Sequence, residues 1–209
     1  MSGCADDSVP VALKIVVSGG LGVGKSAFVG AVSEIEPLGT EAPLTQVPVD
    51  IGPVDIGPAG IGPADGAEHR ATTTVALDFG RITFGPAITL YLFGTPGQSR
   101  FRFLWDDLVD GALGTVVLAD PRRIEECSWA VDYVEARGAP YVLAVNRFDG
   151  AERTGPEEVR SALGLGAEVP VLECDARSAD SVREVLGALM TRVIGVGGDG
   201  PGRRPVAVR

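Results

Sequence analysis

Gly19-Gly20-Leu21-Gly22-Val23-Gly24-Lys25-Ser26 satisfies the pattern G-x-x-x-x-G-K-[ST], and its flanks decide how the rest of the chain is read. Val11 to Ser18 before it is a short β-branched run, the composition of a buried strand. After it, Phe28, Val29, Val32 and Ile35 share one face of a helical pattern from Lys25 to about Glu36. Strand, glycine-rich turn and helix, in that order, make a phosphate-binding loop. The glycines let backbone N–H groups turn inward around phosphate oxygens, and the helix N-terminus adds the positive end of its dipole. Gly19, Gly22, Val23, Gly24, Lys25, Ser26 and Ala27 are the expected phosphate contacts. Lys25 would reach the β- and γ-phosphates, and Ser26 would set its hydroxyl on Mg²⁺. The plain alternative is a glycine-rich turn without a ligand.

Downstream of this loop the chain changes character. Residues 37–69 are rich in Pro and Gly and contain a five-residue repeat: Val49-Asp50-Ile51-Gly52-Pro53, Val54-Asp55-Ile56-Gly57-Pro58, Ala59-Gly60-Ile61-Gly62-Pro63. Proline at this density opposes helix and weakens strand pairing, so the stretch reads as a low-complexity loop. Regular patterns resume at Thr72. Thr72–Phe79 and Arg81–Phe84 read as two strands joined by a turn at Gly80, and Ile88–Phe93, Gly114–Ala119, Tyr141–Val145 and Val169–Glu173 as further strands. Helical patterns cover Phe101–Val109, Arg122–Arg137 (with Gly138 as its C-cap), Pro156–Leu163 and Asp180–Ile194. Alternation of this kind implies an α/β fold with a mostly parallel sheet. The expected organisation is a tail over 1–9, one nucleotide-binding domain over 10–195 carrying the 37–69 insert, and a flexible basic tail over 196–209.

Composition narrows the function classes. The chain has 209 residues, 45% hydrophobic and 22% charged, with a net charge of −10, and its pI is about 4.6. An acidic globular chain is a poor candidate for nonspecific nucleic-acid binding or polybasic attachment to lipid. Cys4, Cys127 and Cys174 have neither disulfide-framework nor zinc spacing. No run of about 18 apolar residues and no signal-peptide core is present, so a cytoplasmic protein without direct membrane insertion is expected.

Three later motifs extend the chemistry. Asn146-Arg147-Phe148-Asp149 follows a predicted strand. A carboxylate there accepts from guanine N1–H and its exocyclic amine, donors that adenine lacks, so Asp149 would select guanine. Asn146 would contact the base edge and brace the loop. In Gly94-Thr95-Pro96-Gly97-Gln98, Gly97 could offer its N–H to a γ-phosphate and Gln98 could orient the attacking water. Thr72-Thr73-Thr74 follows the insert, and a threonine there can complete Mg²⁺ coordination; β-propensity alone is the plain alternative.

This order of motifs resembles the small Ras-like GTPases over essentially the whole ordered core. TTTVALDFGRITFG (72–85), YLFGTPGQ (91–98), GTVVLADP (114–121) and VNRFDG (145–150) are similar to the actinobacterial conservon GTP-binding proteins, relatives of the gliding-motility polarity GTPases. The resemblance implies a P-loop NTPase fold, a Ras-like three-layer α/β/α arrangement on a six-stranded sheet. It further implies a GTP/GDP switch with slow GTP hydrolysis, in which Gln98 and Lys25 are catalytic and Ser26 and Thr74 hold Mg²⁺, with Thr73 the alternative to Thr74. Glu173-Cys174-Asp175-Ala176-Arg177 falls where that family has its last base-binding loop, which gives the Ala176 N–H to guanine O6. A roadblock-type regulator and a sensor-kinase-like complex are the implied partners, through which the protein would reach the membrane.

Two departures stand out. Ras-like proteins have Asp, bonded to Mg²⁺ through water, where this chain has Gly94, which predicts weaker metal binding. Arg147 replaces the usual Lys, keeping an apolar stem to pack over the base. No arginine stands out as a finger in cis; Arg70 reads as a solvated loop charge and His69 as loop surface. Phe101, Phe103, Leu104 and Trp105 form a stripe suited to core packing or to docking, and Trp129 and Tyr133 one suited to inter-helix packing. A nucleotide-binding module without appreciable hydrolysis and an ATP-dependent enzyme are the competing readings. Phosphate release separates the first from a GTPase, and nucleotide competition separates the second.

Overall fold

The computed structural model describes residues 11–39, 77–85, 87–97, 99–150 and 154–197. The elements run β1 (Val11–Gly19), α1 (Lys25–Val32), β2 (Leu38–Gly39), β3 (Asp78–Phe84), β4 (Ile88–Gly94), α2 (Trp105–Val109), β5 (Gly114–Ala119), α3 (Ser128–Ala136), β6 (Tyr141–Asn146), α4 (Pro156–Leu163), β7 (Val171–Cys174) and α5 (Ala179–Gly197). Short 3₁₀ segments, Ser99–Leu104 and Ile124–Cys127, lead into α2 and α3.

One sheet in the order β2-β3-β4-β1-β5-β6-β7 carries the molecule. β4, β1, β5, β6 and β7 pair in parallel, while β3 pairs antiparallel with both β4 and β2. Six longer strands fall where the sequence pattern placed seven, two of those being merged in β3, and a further strand, β2, has two residues. Period-two alternation sends side chains to two cores. Ile15, Val17, Val116, Leu118, Val142 and Ala144 face α1 and α5, meeting Phe28, Val29, Val185 and Leu189. Val16, Val117, Ala119, Leu143 and Val145 face the other layer, meeting Trp105, Val131, Val134 and Val159. Helices on both faces of a mostly parallel sheet make the three-layer α/β/α fold.

Several boundaries differ from the sequence reading. The turn expected at Gly80 is absent: β3 runs straight through from Asp78 to Phe84, with Gly80 opposite Leu92 of β4, while residues 72–76 of the expected preceding strand lie outside the described residues. Gly80 serves helix packing, since a Cβ there would lie 2.6 Å from Val29 Cγ1 of α1. The helix expected over Phe101–Val109 is half 3₁₀, the one expected from Arg122 becomes regular only at Ser128, and α5 continues to Gly197. Residues 1–10, the repeats at 49–63, His69, Arg70, Thr72, Thr73, Thr74 and Gln98 lie outside the described residues.

Candidate functional site: a P-loop edge

The parallel strands end on one edge of the sheet, and the strand order reverses at β1, the location where open α/β sheets bind ligands. Five loops meet there: Gly20–Gly24 after β1, Thr95–Gly97 after β4, Asp120–Arg123 after β5, Arg147–Gly150 after β6 and Asp175–Arg177 after β7.

Gly24, at φ +105°, holds a left-handed conformation that L side chains rarely adopt and passes so close to Asn146 that a Cβ would lie 2.7 Å from Nδ2. It caps α1 without a side-chain hydrogen bond, leaving the first-turn amides to the loop. Lys25 is only 8% exposed. Its ammonium donates to the carbonyls of Gly19 (3.0 Å) and Gly20 (2.6 Å). Burial pushes its pKa down to about 8, partly opposed by Asp78 and Glu126. Gly97 comes down on this loop: a Cβ there would meet Lys25 Nζ and Leu21 Cα at 2.9 Å. Arg123 flanks the loop, donating to the Leu21 carbonyl at 3.3 Å and to Glu126 at 2.9 Å. It shares the buried Asp120 with Arg122, whose hydrogen bonds hold that carboxyl below its usual range.

Asp78 was missed in the sequence, where Gly94 signalled a lost metal carboxylate. Asp78 sits opposite Gly94 in the antiparallel register. It accepts a 2.8 Å hydrogen bond from the Ser26 hydroxyl through Oδ2. A Cβ at Gly94 would lie 2.9 Å from Asp78 Cβ, so the glycine is what lets this carboxylate in. A strand-borne Asp in the apolar run VALDF was the available signal; its register against Gly94 was not legible. Ser26 and Asp78 form an all-oxygen donor pair suited to a hard cation such as Mg²⁺, which is usually held by one or two protein oxygens plus phosphates and water. Among the described residues no group of three His, Cys, Asp or Glu is placed to hold a metal ion by itself.

At the base end Asn146 is the hub. Its Nδ2 donates to Val23 O at 2.9 Å, and its Oδ1 accepts the Ala176 N–H at 3.0 Å. One buried amide thus joins the loops after β1, β6 and β7. The Ala176 N–H expected for a base oxygen is engaged by Asn146, so a base would share this donor or take it over. Arg147 does not lie free: its Nε donates to Glu173 at 3.0 Å. Asp149, 87% exposed, is held below the usual carboxylate range by Arg177. Asn146, Arg147, Phe148, Asp149, Asp175 and Arg177 are among the residues lining a cavity of about 320 Å³. Cys174 is buried, and desolvation pushes its thiol up to about 11, which makes it unreactive.

The aromatic stripe divides. Trp105 is in the core with its ring 4.7 Å from Trp129 and 5.2 Å from Tyr133, while Phe103 is 69% exposed. The Trp129–Tyr133 pair is inter-helix packing.

Comparison with known proteins places these features. The G domain of FeoB from Methanococcus jannaschii superposes with a TM-score of 0.55 at 16% identity, covering 88% of this chain and 99% of that one. The cytosolic domain of T. maritima FeoB in a GDP form gives 0.58 at 14% identity, covering 96% of this chain and 68% of that one. These show the fold. In sequence, 136 residues are 29% identical to translation initiation factor IF-2 of Alcanivorax borkumensis, covering 59% of this chain but 14% of the factor. An uncharacterized protein of Methanocaldococcus jannaschii is 30% identical over 84 residues, 39% of this chain and 53% of that one. The chain therefore spans only a small part of the factor and about half of the archaeal protein. No helix among the described residues is long and apolar enough to cross a membrane. Residues 17–195 match the family described as "Conserved hypothetical ATP binding protein", and this nucleotide-binding chain of G-domain fold belongs to that family.

Proposed function

We propose that the chain is a guanine-nucleotide switch that hydrolyses GTP slowly, with stimulation by a partner. The observation that carries the reading is the Asn146 bridge, which ties the phosphate loop at Val23 to the Ala176 loop, with Asp149 three residues further along the Asn146 loop. In this reading phosphate and base recognition form one unit: the amides of Gly22 to Ala27 and the Lys25 ammonium hold the phosphates, and Asp149 accepts from the guanine N1–H and amine. Ser26, Asp78 and Thr74 hold Mg²⁺, which neutralises phosphate charge when bound with the nucleotide. Gly97 follows the γ-phosphate and Gln98 orients water. The G-domain likeness to FeoB, one structure of which is described as a GDP form, supports the guanine assignment. So does the partial similarity to the initiation factor.

The family's description names ATP, which favours an adenine-binding reading as the alternative. Competition decides between them. GTP and GDP should displace a fluorescent GDP analogue far better than ATP, and Asp149→Asn should weaken GDP while improving xanthosine diphosphate, because the amide reverses the hydrogen-bond pattern. Equal displacement by ATP sinks the guanine reading. Single-turnover phosphate release, with and without Gln98→Ala, separates slow hydrolysis from a binding module that never hydrolyses. From the resemblance to the conservon proteins, a roadblock-type regulator and a sensor-kinase-like complex are the proposed partners, in bacterial signalling at the cytoplasmic side of a membrane.

A further inference from the structure

The carboxylate that would read the base already has an occupant. Arg177 sends NH1 to Asp149 Oδ2 at 2.9 Å and NH2 to Asp149 Oδ1 at 3.3 Å. Its other edge is seated on Asp175, with Nε to Oδ1 at 3.0 Å and NH2 to Oδ2 at 3.2 Å, while its own backbone N–H also donates to Asp175 Oδ1 at 3.0 Å. Asp175 therefore holds the guanidinium in place, and Asp149 receives its free fork.

The Watson–Crick edge of guanine is chemically a guanidine closed into a ring. N1–H and the exocyclic amine hang from one carbon and present two parallel donors, as the two terminal nitrogens of arginine do. A carboxylate shaped to accept one accepts the other, and a two-point fork with both oxygens leaves no place for a second. We propose that Arg177 is an internal competitor for the base site, its guanidinium standing in for the guanine edge at Asp149. This rests on the guanine reading above. Base binding is then an exchange of one fork for another. The apparent affinity for guanine nucleotides is lowered by the fraction of molecules in which Arg177 holds Asp149. Release is eased, because the departing base is replaced by a partner that never leaves the protein. The residues involved are exposed, Arg177 57% and Asp149 87%, so the fork is weak and the competition is tuned rather than absolute.

The test compares Arg177→Met, which keeps an apolar stem and loses the fork, with the wild-type full chain. The probes are a fluorescent GDP analogue, ADP and inorganic pyrophosphate. The expected result is a GDP affinity about two- to fivefold higher, carried at least partly by slower release, as suits loss of an exposed ion-pair competitor. Pyrophosphate and ADP, which make no use of Asp149, should be unchanged. Equal gains for all three ligands, unchanged GDP affinity, or weaker GDP binding would each overturn the competitor role, the last by showing that the side chain supports the base. Asp149→Asn on the wild-type background keeps the two readings apart. If it leaves GDP binding intact, the guanine assignment fails and takes this proposal with it. If it weakens GDP binding while Arg177→Met has no effect, the base reading stands and the competitor fails alone.

Discussion

Lys25 is held where charge is disfavoured. Its ammonium is nearly closed off from water, and with a pKa near 8 it is mostly, but not fully, protonated at neutral pH. Phosphate oxygens favour the charged form, so a bound nucleotide raises this pKa. Well below pH 8 the proton is already in place. Above it, binding must bring a proton in, and the GDP dissociation constant should rise by up to about tenfold per pH unit until the pKa of the complex is reached. Titrations from about pH 6.5 to about 9.5 check this, and a flat profile would show that nucleotide binding is not linked to this ammonium. Asp78 makes a second prediction at the same scale. Asp78→Ala should raise the Mg²⁺ concentration needed to slow GDP release by about tenfold or more, because the proposed cation site loses one of its oxygens and the Ser26 hydroxyl its partner. An unchanged requirement would reduce Asp78 to a cap on the Ser26 hydroxyl.

Among the elements, β3 is where local sequence and three-dimensional need part company. Gly80 reads as a turn because glycine flanked by short β-rich runs usually is one. Here it is an open face against which α1 packs. Gly80→Ala should therefore lower stability by about 1–3 kcal/mol, read as a shift in the urea midpoint, because the added carbon meets Val29. An unchanged midpoint would show that α1 moves aside freely. β1, β5 and β6 were legible because each is a short apolar run bounded by turn residues. α4 was legible because Pro156 marks its first turn, and the structure ends it at a left-handed Gly164. The register of β3 against β4 was not, since it depends on which residue of a distant strand lies opposite which. The same limit hid the Asp78–Gly94 pairing: the motif was read along the chain, and the carboxylate arrives from across the sheet. Ser26 was legible from its place in the G-x-x-x-x-G-K-[ST] spacing alone, although its hydroxyl partner, Asp78, comes from β3.

For the whole molecule, the loops of three parallel strands are joined through Asn146, whose amide satisfies a buried carbonyl and a buried N–H at once. Asn146→Ala strands both groups, so it should lower stability by about 2–4 kcal/mol. It should also weaken GDP and pyrophosphate together, because the phosphate loop loses its brace. Loss of GDP binding with pyrophosphate binding intact would show that the two halves of the site are independent.

The layer that packs α2 against α3 has an optical consequence. Both tryptophans of the chain stand there, ring against ring at 4.7 Å, with the Arg102 guanidinium 4.1 Å above Trp129. Arg102 and Trp105 follow closely in sequence on the Thr95–Gly97 loop. A motion of that loop on exchanging GDP for a GTP analogue would be transmitted to the indole pair, so the protein carries its own reporter. Near-ultraviolet dichroism and indole emission should change with the nucleotide, without a label, and Trp129→Phe should abolish most of that signal.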